Sequence, residues 1–266
     1  MLQEGSVYTE LKEIMVRAAR AGGDILKKYF GTKDFRIEKK SMEADFVTDV
    51  DKKAQDAIIK IFSESVPHIP IIAEEKENVI EKNAFYVDPL DGTLNFIHGF
   101  PMIAVSIGYW ENDKPTIGVV YNPLQNEMYW AIRGEGAYLN GRRISVSSTT
   151  SISKSILATG WPYDRSTLED VVESVKNALK EAQEIRSLGS AALECCHVAQ
   201  GIFDGYWEWG LSSWDLSAGV VILLEAGAIV TDRKGREFSL EKGEIVCATP
   251  AIHGALLSII NPEVKL

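Results

Sequence analysis

Three short apolar runs in the middle of the chain constrain its fold more than any other feature. They span 103–107, 116–120 and 128–132, are rich in β-branched and aromatic residues, and are separated by turn residues. Strands joined by such short connections pair antiparallel. Asn140-Gly141, which follows them, is the preferred pair of a two-residue hairpin turn. We therefore expect an antiparallel sheet here.

Helical periodicity precedes this sheet. Apolar residues recur at helical spacing through positions 11–29 and alternate with charged ones, which predicts a surface helix and not a signal peptide. Thr48 and Asp51 have the spacing of a capping box, and an apolar face continues through 50–62. We expect a second helix there, so Asp51 has a structural role whatever else it does.

The composition changes at the Ser/Thr-rich stretch 147–151, after which helices alternate with short strands. Ser166 and Glu169 have the spacing of another capping box. The whole pattern predicts an α+β fold, a layered α-β-α-β-α sandwich. Its N-terminal half, 1–147, holds the antiparallel sheet and helices, and the smaller α/β half is 148–266. The elements expected in the smaller half are helices at 167–182, 190–201, 215–226 and 251–260 and strands at 185–188, 206–208, 228–230 and 245–247.

The net charge of −10 excludes several classes of partner. It repels polyanions, so we expect neither nucleic acid nor an anionic membrane as a main partner. No continuous apolar stretch approaches the roughly 18 residues of a membrane span. The three cysteines form no disulfide framework and no Asn-x-Ser/Thr sequon occurs, so we expect a cytoplasmic location. A phosphorylated substrate would be repelled too, unless a bound cation supplied local positive charge.

Two carboxylates flank a proline in the segment Asp88–Asn95, where the apolar run 85–87 is expected to end and a helix to begin. Pro89 fixes its own φ and keeps the preceding residue extended, while Gly92 permits a φ that a β-carbon disfavours. The carboxylates and the carbonyl of Leu90 are hard oxygen ligands that suit Mg²⁺ or Mn²⁺. The free amides of a helix start beside them suit an anion.

Asp-Pro and Asp-Gly are also ordinary turn formers, and Asp91 could simply cap a helix. The other acids favour a site: Glu74 and Glu75 follow the apolar run 69–73, and Trp214-Asp215 precedes another helix. Ligands gather at the carboxyl ends of strands in open α/β sheets, so these acids can meet in space. Two carboxylates about 4 Å apart repel by about 4 kcal/mol at an effective dielectric near 20. Clustered acids must therefore be protonated or hold metal, and metal is the expectation at neutral pH.

Other signals are absent or have a structural interpretation. The four histidines share no zinc-protease spacing, and neither a Gly-x-Ser-x-Gly elbow nor a phosphate-binding Gly-x₄-Gly-Lys-Ser/Thr loop occurs. Trp207-Glu208-Trp209 could stack against a sugar, but we expect these aromatic residues in the core. Cys195-Cys196 on an apolar helix are expected to be core thiols.

These motifs together resemble the inositol monophosphatase family of metal-dependent, lithium-sensitive phosphatases, within the fructose-1,6-bisphosphatase superfamily. The matching segments are Lys40, Asp45–Asp51, Glu74–Glu75, Asp88–Asn95, Gly136–Gly141, Arg186–Ala192, Glu208 and Trp214–Gly219. They extend over nearly the whole chain, and the second aspartate block with the Trp-Asp block makes the resemblance highly specific. Ala73, Leu90 and Ser217 differ from the residues usual in the family, but none of these changes removes a ligand.

The resemblance implies roles for individual residues. The implied ligands of Mg²⁺, two or three ions with Mn²⁺ as a substitute, are Glu74, Asp88, Asp91, Asp215 and the main-chain carbonyl of Leu90. The implied catalytic residues are Glu74, Thr93 and Asp51. The implied substrate-binding residues are Gly92, Thr93, Ala191, Glu208, Lys40 and Arg186. Helix capping remains an equal interpretation for Asp51, since both roles can coexist.

The function implied is Mg²⁺-dependent hydrolysis of a phosphate monoester of a small polyol or sugar, with myo-inositol 1-phosphate as the first substrate. Fructose 1,6-bisphosphate, alone or as a second substrate, is the main alternative, followed by 3′-phosphoadenosine 5′-phosphate and histidinol phosphate. A regulatory or scaffold protein that keeps the metal site is an alternative of another class. A homodimer and sensitivity to lithium follow from the resemblance alone.

Overall fold

The computed structural model describes residues 4–39, 46–74 and 81–261 of the chain. The helices in these residues are α1 Glu4–Tyr29, α2 Asp49–Ser65, α3 Thr93–His98, α4 Leu168–Glu181, α5 Ala191–Ala199, α6 Ser213–Glu225 and α7 Pro250–Ile260. The strands are β1 Ile37–Lys39, β2 Phe46–Thr48, β3 Ile71–Ala73, β4 Asn83–Asp91, β5 Ala104–Glu111, β6 Lys114–Asn122, β7 Glu127–Ile132, β8 Gly136–Leu139, β9 Arg142–Ile144, β10 Ile156–Thr159, β11 Glu184–Arg186, β12 Gly205–Trp209, β13 Ile229–Thr231 and β14 Glu244–Ala248. None of the described helices combines the length and the apolar character that a membrane crossing requires.

A seven-stranded sheet forms the first half, in the order β3-β4-β5-β6-β7-β8-β9. β3 and β4 are parallel, and each later pair is antiparallel. Asn140 and Gly141 join β8 to β9 with φ values of 48° and 79°, the left-handed pair that a two-residue hairpin turn requires. The expected antiparallel sheet and its hairpin are confirmed.

A five-stranded sheet forms most of the second half, in the order β11-β10-β12-β14-β13. β10 is parallel to both of its neighbours, and β14 is antiparallel to β12 and β13. Successive residues of β12 point to opposite faces, so Tyr206 packs with α5 and α6 while Trp207 packs with α4 and α7. Both rings are fully buried, which confirms that Trp207 belongs to the core.

The elements stack in five layers. Helices α1 and α2 cover the first face of the seven-stranded sheet, where Phe62 of α2 stacks on Phe85 of β4. Helices α5 and α6 lie between the two sheets and share one apolar cluster with both. Helices α4 and α7 cover the outer face of the five-stranded sheet. This is the α-β-α-β-α sandwich that the sequence predicts.

Two glycines let α6 approach the seven-stranded sheet at backbone distance. A Cβ at Gly108 of β5 would lie 2.5 Å from Ser217 Oγ, and a Cβ at Gly118 of β6 would lie 2.4 Å from the Ala218 carbonyl oxygen. Only a residue without a side chain fits at either position. The close contact fixes the first turn of α6, which carries Asp215, relative to the first sheet.

The expected end of the strand at Val87 is wrong. β4 continues to Asp91, and its pairing with β5 shifts register between Asp88 and Asp91. Asp91 is still opposite Ala104 of β5. Pairing with the neighbouring strand therefore extends β4 past Pro89, which has no amide hydrogen to contribute but lies inside the irregularity.

The capping box expected at Ser166 and Glu169 is also wrong. Helix α4 begins at Leu168, and Thr167 precedes it without a side-chain cap. Asp164 instead accepts a hydrogen bond from the Ser166 amide at 2.9 Å and starts a short 3₁₀ turn. A competing cap one turn earlier has replaced the expected one.

The division into halves at 147/148 stays a prediction. The position lies between β9 and β10, the last strand of one sheet and the first of the other. Helices α5 and α6 belong to the second half but pack against the first sheet. The two halves therefore share one apolar cluster.

Candidate active site

A cavity of about 980 Å³ is lined by residues of both halves. Five of its acidic residues come from four elements that are distant in sequence, and the sixth, Asp164, lies between β10 and α4. Asp88 and Asp91 lie at the end of β4, and Glu74 directly follows the parallel neighbour β3. Glu208 lies in β12, and Asp215 lies in the first turn of α6. The carboxylates that the sequence selects therefore surround one space.

The end of β4 turns abruptly into α3. The Leu90 amide donates to Asp88 Oδ1 at 2.9 Å within the register shift. Gly92 follows with a φ of 93°, in the left-handed region. A Cβ at this position would lie 2.8 Å from the Met102 carbonyl oxygen. Only glycine satisfies both the φ and the space, so this turn depends on Gly92.

Asp91 is held by the second half of the chain. Its Oδ2 accepts from Ser190 Oγ at 2.5 Å and from the Ala192 amide at 2.8 Å. Burial raises the pKa of Asp91 to about 6, against the lowering effect of the Ser190 hydrogen bond. These two donors orient one oxygen of the carboxylate and stabilise its ionised form.

Asp88 and Asp215 share the same electrostatic problem. Burial raises the pKa of Asp88 well above its usual value, and Glu74, Asp91 and Asp215 raise it further. Burial also raises the pKa of Asp215, and the nearby acids Glu74 and Asp91 raise it further. The Ser212 amide donates to Asp215 Oδ2 at 2.7 Å in the capping box of α6. Like charges close in space therefore oppose the ionisation of each carboxyl group.

Thr93 lies between the cavity and Asp51. Its Oγ1 is 3.2 Å from Asp51 Oδ1 and 3.1 Å from the Leu90 carbonyl oxygen, and its single proton serves one acceptor at a time. Asp51 has no exposed surface and does not line the cavity. Its other oxygen accepts from the Thr48 amide at 2.9 Å, which completes the capping box of α2. The predicted cap is confirmed, and the same carboxylate also contacts Thr93.

Glu208 and Ala191 also line the cavity. Burial raises the pKa of Glu208 to about 8, against a hydrogen bond of 2.5 Å that Tyr206 Oη donates to its Oε2. A Cβ at Gly160 would lie 2.0 Å from the same oxygen, so Gly160 leaves the space that the carboxyl group occupies. Glu208 can therefore offer both an acceptor and, when protonated, a donor to a hydroxyl group.

The model of the inositol monophosphatase family matches residues 7–265. The chain belongs to this family. The Nus factor SuhB of Pasteurella multocida is 37% identical over 253 residues, which cover 94% of this chain and 95% of that protein. The fructose-1,6-bisphosphatase/inositol-1-monophosphatase of Aquifex aeolicus is 37% identical over 263 residues, 97% of each chain. The structure of inositol monophosphatase from Anabaena matches with a TM-score of 0.85 at 35% identity and covers 97% of each chain. Membership supports a phosphatase and confirms the resemblance found in the sequence.

Enzymes of the inositol monophosphatase family are generally metal-dependent, and the donor set here fits Mg²⁺. Four of the carboxylates that line the cavity are Glu74, Asp88, Asp91 and Asp215, and Leu90, whose carbonyl oxygen is also a hard ligand, lines it as well. Burial and, after it, the neighbouring acids raise the pKa values of Asp88 and Asp215, and a bound cation would oppose both effects. Across the described ranges, no three acidic, histidine or cysteine side chains are close enough to form a complete metal site. The acids surround the cavity without converging on one point.

Of the predicted substrate-binding residues that the structure describes, Arg186 alone is not brought to the cavity. Lys40 lies outside the described residues, as does Glu75. Arg186 is exposed in β11 and does not line the cavity. Its Nη1 lies 3.3 Å from Glu184 Oε1 and donates to the Ile185 carbonyl oxygen at 2.9 Å. The remaining predicted residues either line the cavity or, in the case of Asp51, contact a residue that does.

The segment 161–165 is a part of this family member's cavity to which the sequence analysis gave no role. The rings of Trp161 and Tyr163 are partly exposed at its wall. Burial raises the pKa of the Tyr163 phenol, and Asp215 is the acid that raises it most. Arg165 is the one lysine, arginine or histidine among the described residues that line the cavity. The sequence signal was a cluster of aromatic and charged residues with no helical or strand period.

Proposed function

We propose that this chain is a Mg²⁺-dependent phosphate monoester hydrolase whose first substrate is myo-inositol 1-phosphate. The observation that supports this best is the set of acids from β3, β4 and α6 around one cavity, next to the turn at Gly92. A polyol phosphate has one anionic end and one end made of hydroxyl groups. The cavity is lined by groups for both: the β4 turn for the anionic end and Glu208 for the hydroxyl groups.

Glu74, Asp88, Asp91 and Asp215, with the carbonyl group of Leu90, would hold two or three Mg²⁺ ions, with Mn²⁺ as a substitute. When bound, the ions supply Lewis-acid chemistry, which lowers the pKa of water and offsets the charge that develops on the departing oxygen. Phosphoryl transfer needs little covalent chemistry from the protein. A site of carboxylates, amides and one hydroxyl group is sufficient for it.

Thr93 and Glu74 would orient the attacking water. When Thr93 Oγ1 donates its proton to Asp51 Oδ1, its lone pairs remain available to accept a hydrogen bond from water. The carboxylate of Glu74 would accept a hydrogen bond from the second O–H group of that water. Asp51 then acts through Thr93, which suits a residue that is buried behind the cavity wall.

The substrate would lie between the turn of β4 and β12. The amides of Gly92 and Thr93 precede the first hydrogen bond of α3, from the Phe96 amide to the Gly92 carbonyl, and would donate to phosphate oxygens. Ala191 and Glu208 would contact the alcohol portion. Lys40 is retained from the sequence prediction, whereas Arg186 is not part of the proposed site because it lies outside the cavity.

A panel of substrates tests the proposal. Phosphate release is measured from myo-inositol 1-phosphate, fructose 1,6-bisphosphate, 3′-phosphoadenosine 5′-phosphate and histidinol phosphate, with Mg²⁺ and with a chelator. We expect the highest kcat/KM for the inositol phosphate and loss of activity in the chelator. Folded protein that releases phosphate from none of the four would refute the hydrolase and leave the regulatory or scaffold alternative, to which the name Nus factor of one relative also points.

A second candidate function, a fructose-1,6-bisphosphatase or a sugar phosphatase of dual specificity, has structural support. The cavity volume of about 980 Å³ is at the upper end of the roughly 300–1,000 Å³ of sites for drug-sized ligands. Arg165 provides one positive charge at its wall, which a second phosphate group would use. The Aquifex relative carries both activities in its name. A kcat/KM for fructose 1,6-bisphosphate equal to that for the inositol phosphate would establish this function.

The homodimer and the lithium sensitivity belong to the same proposal and follow from family membership. Sedimentation equilibrium tests the dimer. Inhibition of phosphate release by lithium chloride, with sodium chloride at equal ionic strength as the control, tests the lithium sensitivity.

A further inference from the structure

Glu194 is a buried acid that the proposed reaction does not use. It lies in α5, all of whose residues are buried, and it has no exposed surface. The helix is otherwise largely apolar. Burying a carboxyl group without full hydrogen bonding costs several kcal/mol. An apolar residue would suit this position better unless the carboxyl group has a task.

One oxygen of Glu194 holds the turn that leads into α5. Its Oε1 accepts from the Leu188 amide at 2.6 Å. From the other side, Asn95 Nδ2 donates to the Leu188 carbonyl oxygen at 2.7 Å and lies 3.2 Å from the Gly189 carbonyl oxygen. Gly189 has a φ of 70°, in the left-handed region. The turn is therefore fixed by a side chain of α5 and by a side chain of α3.

This turn determines where the partners of Asp91 lie. Ser190, the next residue, donates to Asp91 Oδ2 at 2.5 Å. The Gly189 carbonyl oxygen lies against Gly92, where a Cβ would be 3.3 Å away. Gly189 and Ser190 also line the cavity. A shift of the turn would therefore move Asp91 and the wall beside Gly92 together.

The second oxygen of Glu194 is not saturated. Within the described residues, Oε2 has no hydrogen-bond partner. After burial, Glu208 is the strongest influence that raises the pKa of Glu194. A buried acid with a purely structural role looks different: Asp204 accepts from Ser147 Oγ at 2.5 Å and from the Ile156 amide at 2.7 Å, one bond on each oxygen. Glu194 thus keeps one buried oxygen without a hydrogen-bond partner among the described residues.

We propose that Glu194 is a positioning residue, which fixes the 188–190 turn and thereby holds Asp91 and the cavity wall in the geometry that phosphate hydrolysis requires. The inference rests on the proposed function, because it assigns a role within that site. Glu194 itself does not touch the cavity, so it acts through Leu188 and Ser190.

Two substitutions separate positioning from folding. Glu194→Gln keeps the volume and the carbonyl acceptor for the Leu188 amide, so we expect kcat/KM to stay within about 3-fold of wild type. Glu194→Leu removes the acceptor but suits the apolar helix, so the melting temperature should be unchanged or higher. Its kcat should fall about 10- to 100-fold, with a smaller change in KM, because misplacement by about 1 Å can cost that much. Glu194→Ala replaces the leucine variant if the latter does not fold.

Amide hydrogen exchange at Leu188 gives a direct measurement that is independent of turnover. The amide should exchange slowly in wild type and in Glu194→Gln, and at least about 10-fold faster in Glu194→Leu. Asp204→Asn is the matched control, a buried acid with hydrogen bonds outside the cavity. It should lower the melting temperature while kcat/KM and the exchange of Leu188 stay unchanged.

The outcomes are distinguishable. If wild type releases phosphate but Glu194→Leu does so equally well, the positioning role is wrong and the proposed function stands. Equal losses of activity in Glu194→Leu and Asp204→Asn, in proportion to lost stability, would likewise overturn it. If wild type releases no phosphate, the proposed function fails and the positioning role falls with it, whereas the Leu188 exchange still shows whether Glu194 holds the turn.

Discussion

Asp91 in the cavity and Asp232 in the loop after β13 are both buried carboxylates, but their pKa values shift in opposite directions. Burial raises the pKa of Asp91 to about 6, and hydrogen bonds from Ser190 and the Ala192 amide only partly offset it. Burial also acts on Asp232, but hydrogen bonds led by those from Lys242 and Arg236 lower its pKa to about 2. The surroundings of a buried carboxyl group therefore decide whether its pKa rises or falls.

The difference lies in the donors: Asp91 accepts from the neutral groups of Ser190 and Ala192, whereas Asp232 also accepts from two cationic side chains. Asp232 Oδ2 accepts from Lys242 Nζ at 2.8 Å and from Arg236 Nε at 2.9 Å. Asp88 and Asp215 instead lie among other acids, which raise their pKa values. Asp232 therefore stabilises the fold when ionised, whereas the cavity acids lower stability unless a cation binds. An acidic cluster that costs stability indicates a functional site.

The largest expected effect comes from Asp91→Asn. The substitution removes one of the proposed metal ligands, so kcat/KM should fall at least about 1,000-fold, equivalent to about 4 kcal/mol. The metal-free variant should be as stable as wild type or more stable, because a buried charge is lost. Phosphate release and thermal unfolding are the measurements. Turnover within 10-fold of wild type would show that Asp91 is not a ligand, and the contrast with Asp232 would lose its functional meaning.

The next largest effect is the change with pH in the unfolding free energy of the metal-free protein. The pKa of folded Asp91, about 6, lies above its usual value of 3.8, so the folded state binds more protons between these values. The contribution of Asp91 should be most favourable below pH 4 and decline by about 3 kcal/mol as the pH rises above 6. Urea unfolding at pH 4 and pH 7 in a chelator measures most of this decline, with Asp91→Asn as the reference. If wild type and variant change equally between the two pH values, the buried-charge explanation is wrong.

Asp232→Asn should act on stability alone. The pKa of Asp232, about 2, lies below the usual 3.8, so its contribution is present above pH 4 and is lost as the pH falls through 2. At pH 7 the variant should lose about 1–2 kcal/mol of unfolding free energy, a discounted value because Lys242 and Arg236 are partly exposed and screened by solvent. Denaturant unfolding measures this loss, and kcat/KM should not change. A loss of activity without a loss of stability would reverse the assignment of the two regions.

The smallest effect on activity is expected for a substitution of Arg165. Among the described residues that line the acidic cavity, Arg165 is the one with a positive charge. Arg165→Gln should lower kcat/KM for fructose 1,6-bisphosphate about 10-fold, the equivalent of 1.4 kcal/mol, and change that for myo-inositol 1-phosphate by less than about 3-fold. Arg142→Gln in the exposed strand β9 is the control and should affect neither. Equal losses on both substrates would mean that Arg165 does not distinguish a second phosphate group.

Local signals in the sequence predicted the elements that depend on neighbouring residues. The capping box of Thr48 and Asp51 and the hairpin at Asn140-Gly141 involve residues at most three positions apart, and both are present. The end of β4 was predicted wrongly because pairing with β5 decides it, and the cap of α4 was predicted wrongly because Asp164 competes for it. The error in each case lies in a partner that the local pattern does not specify.

The candidate site divides in the same way. The sequence predicted a shared site for Asp88, Asp91, Glu74 and Asp215. Each of these acids follows or precedes an apolar run. The ends of the apolar runs indicated that these acids could meet, whereas the place of Asp51 behind Thr93 and the position of Arg186 outside the cavity were decided by the tertiary structure. These facts depend on contacts between residues that are far apart along the chain.

The amino-acid sequence by itself determined the period of each helix and strand, the layered fold, the membership of the family and the types of residue available for chemistry. Only the tertiary structure decided that Ser190 contacts Asp91, 99 positions away, and that Glu194 holds the 188–190 turn. The physical reason is range. Backbone preferences and capping bonds act over a few residues, whereas the place of a carboxylate beside its partners is set by the packing of sheets and helices that the chain brings together from both halves.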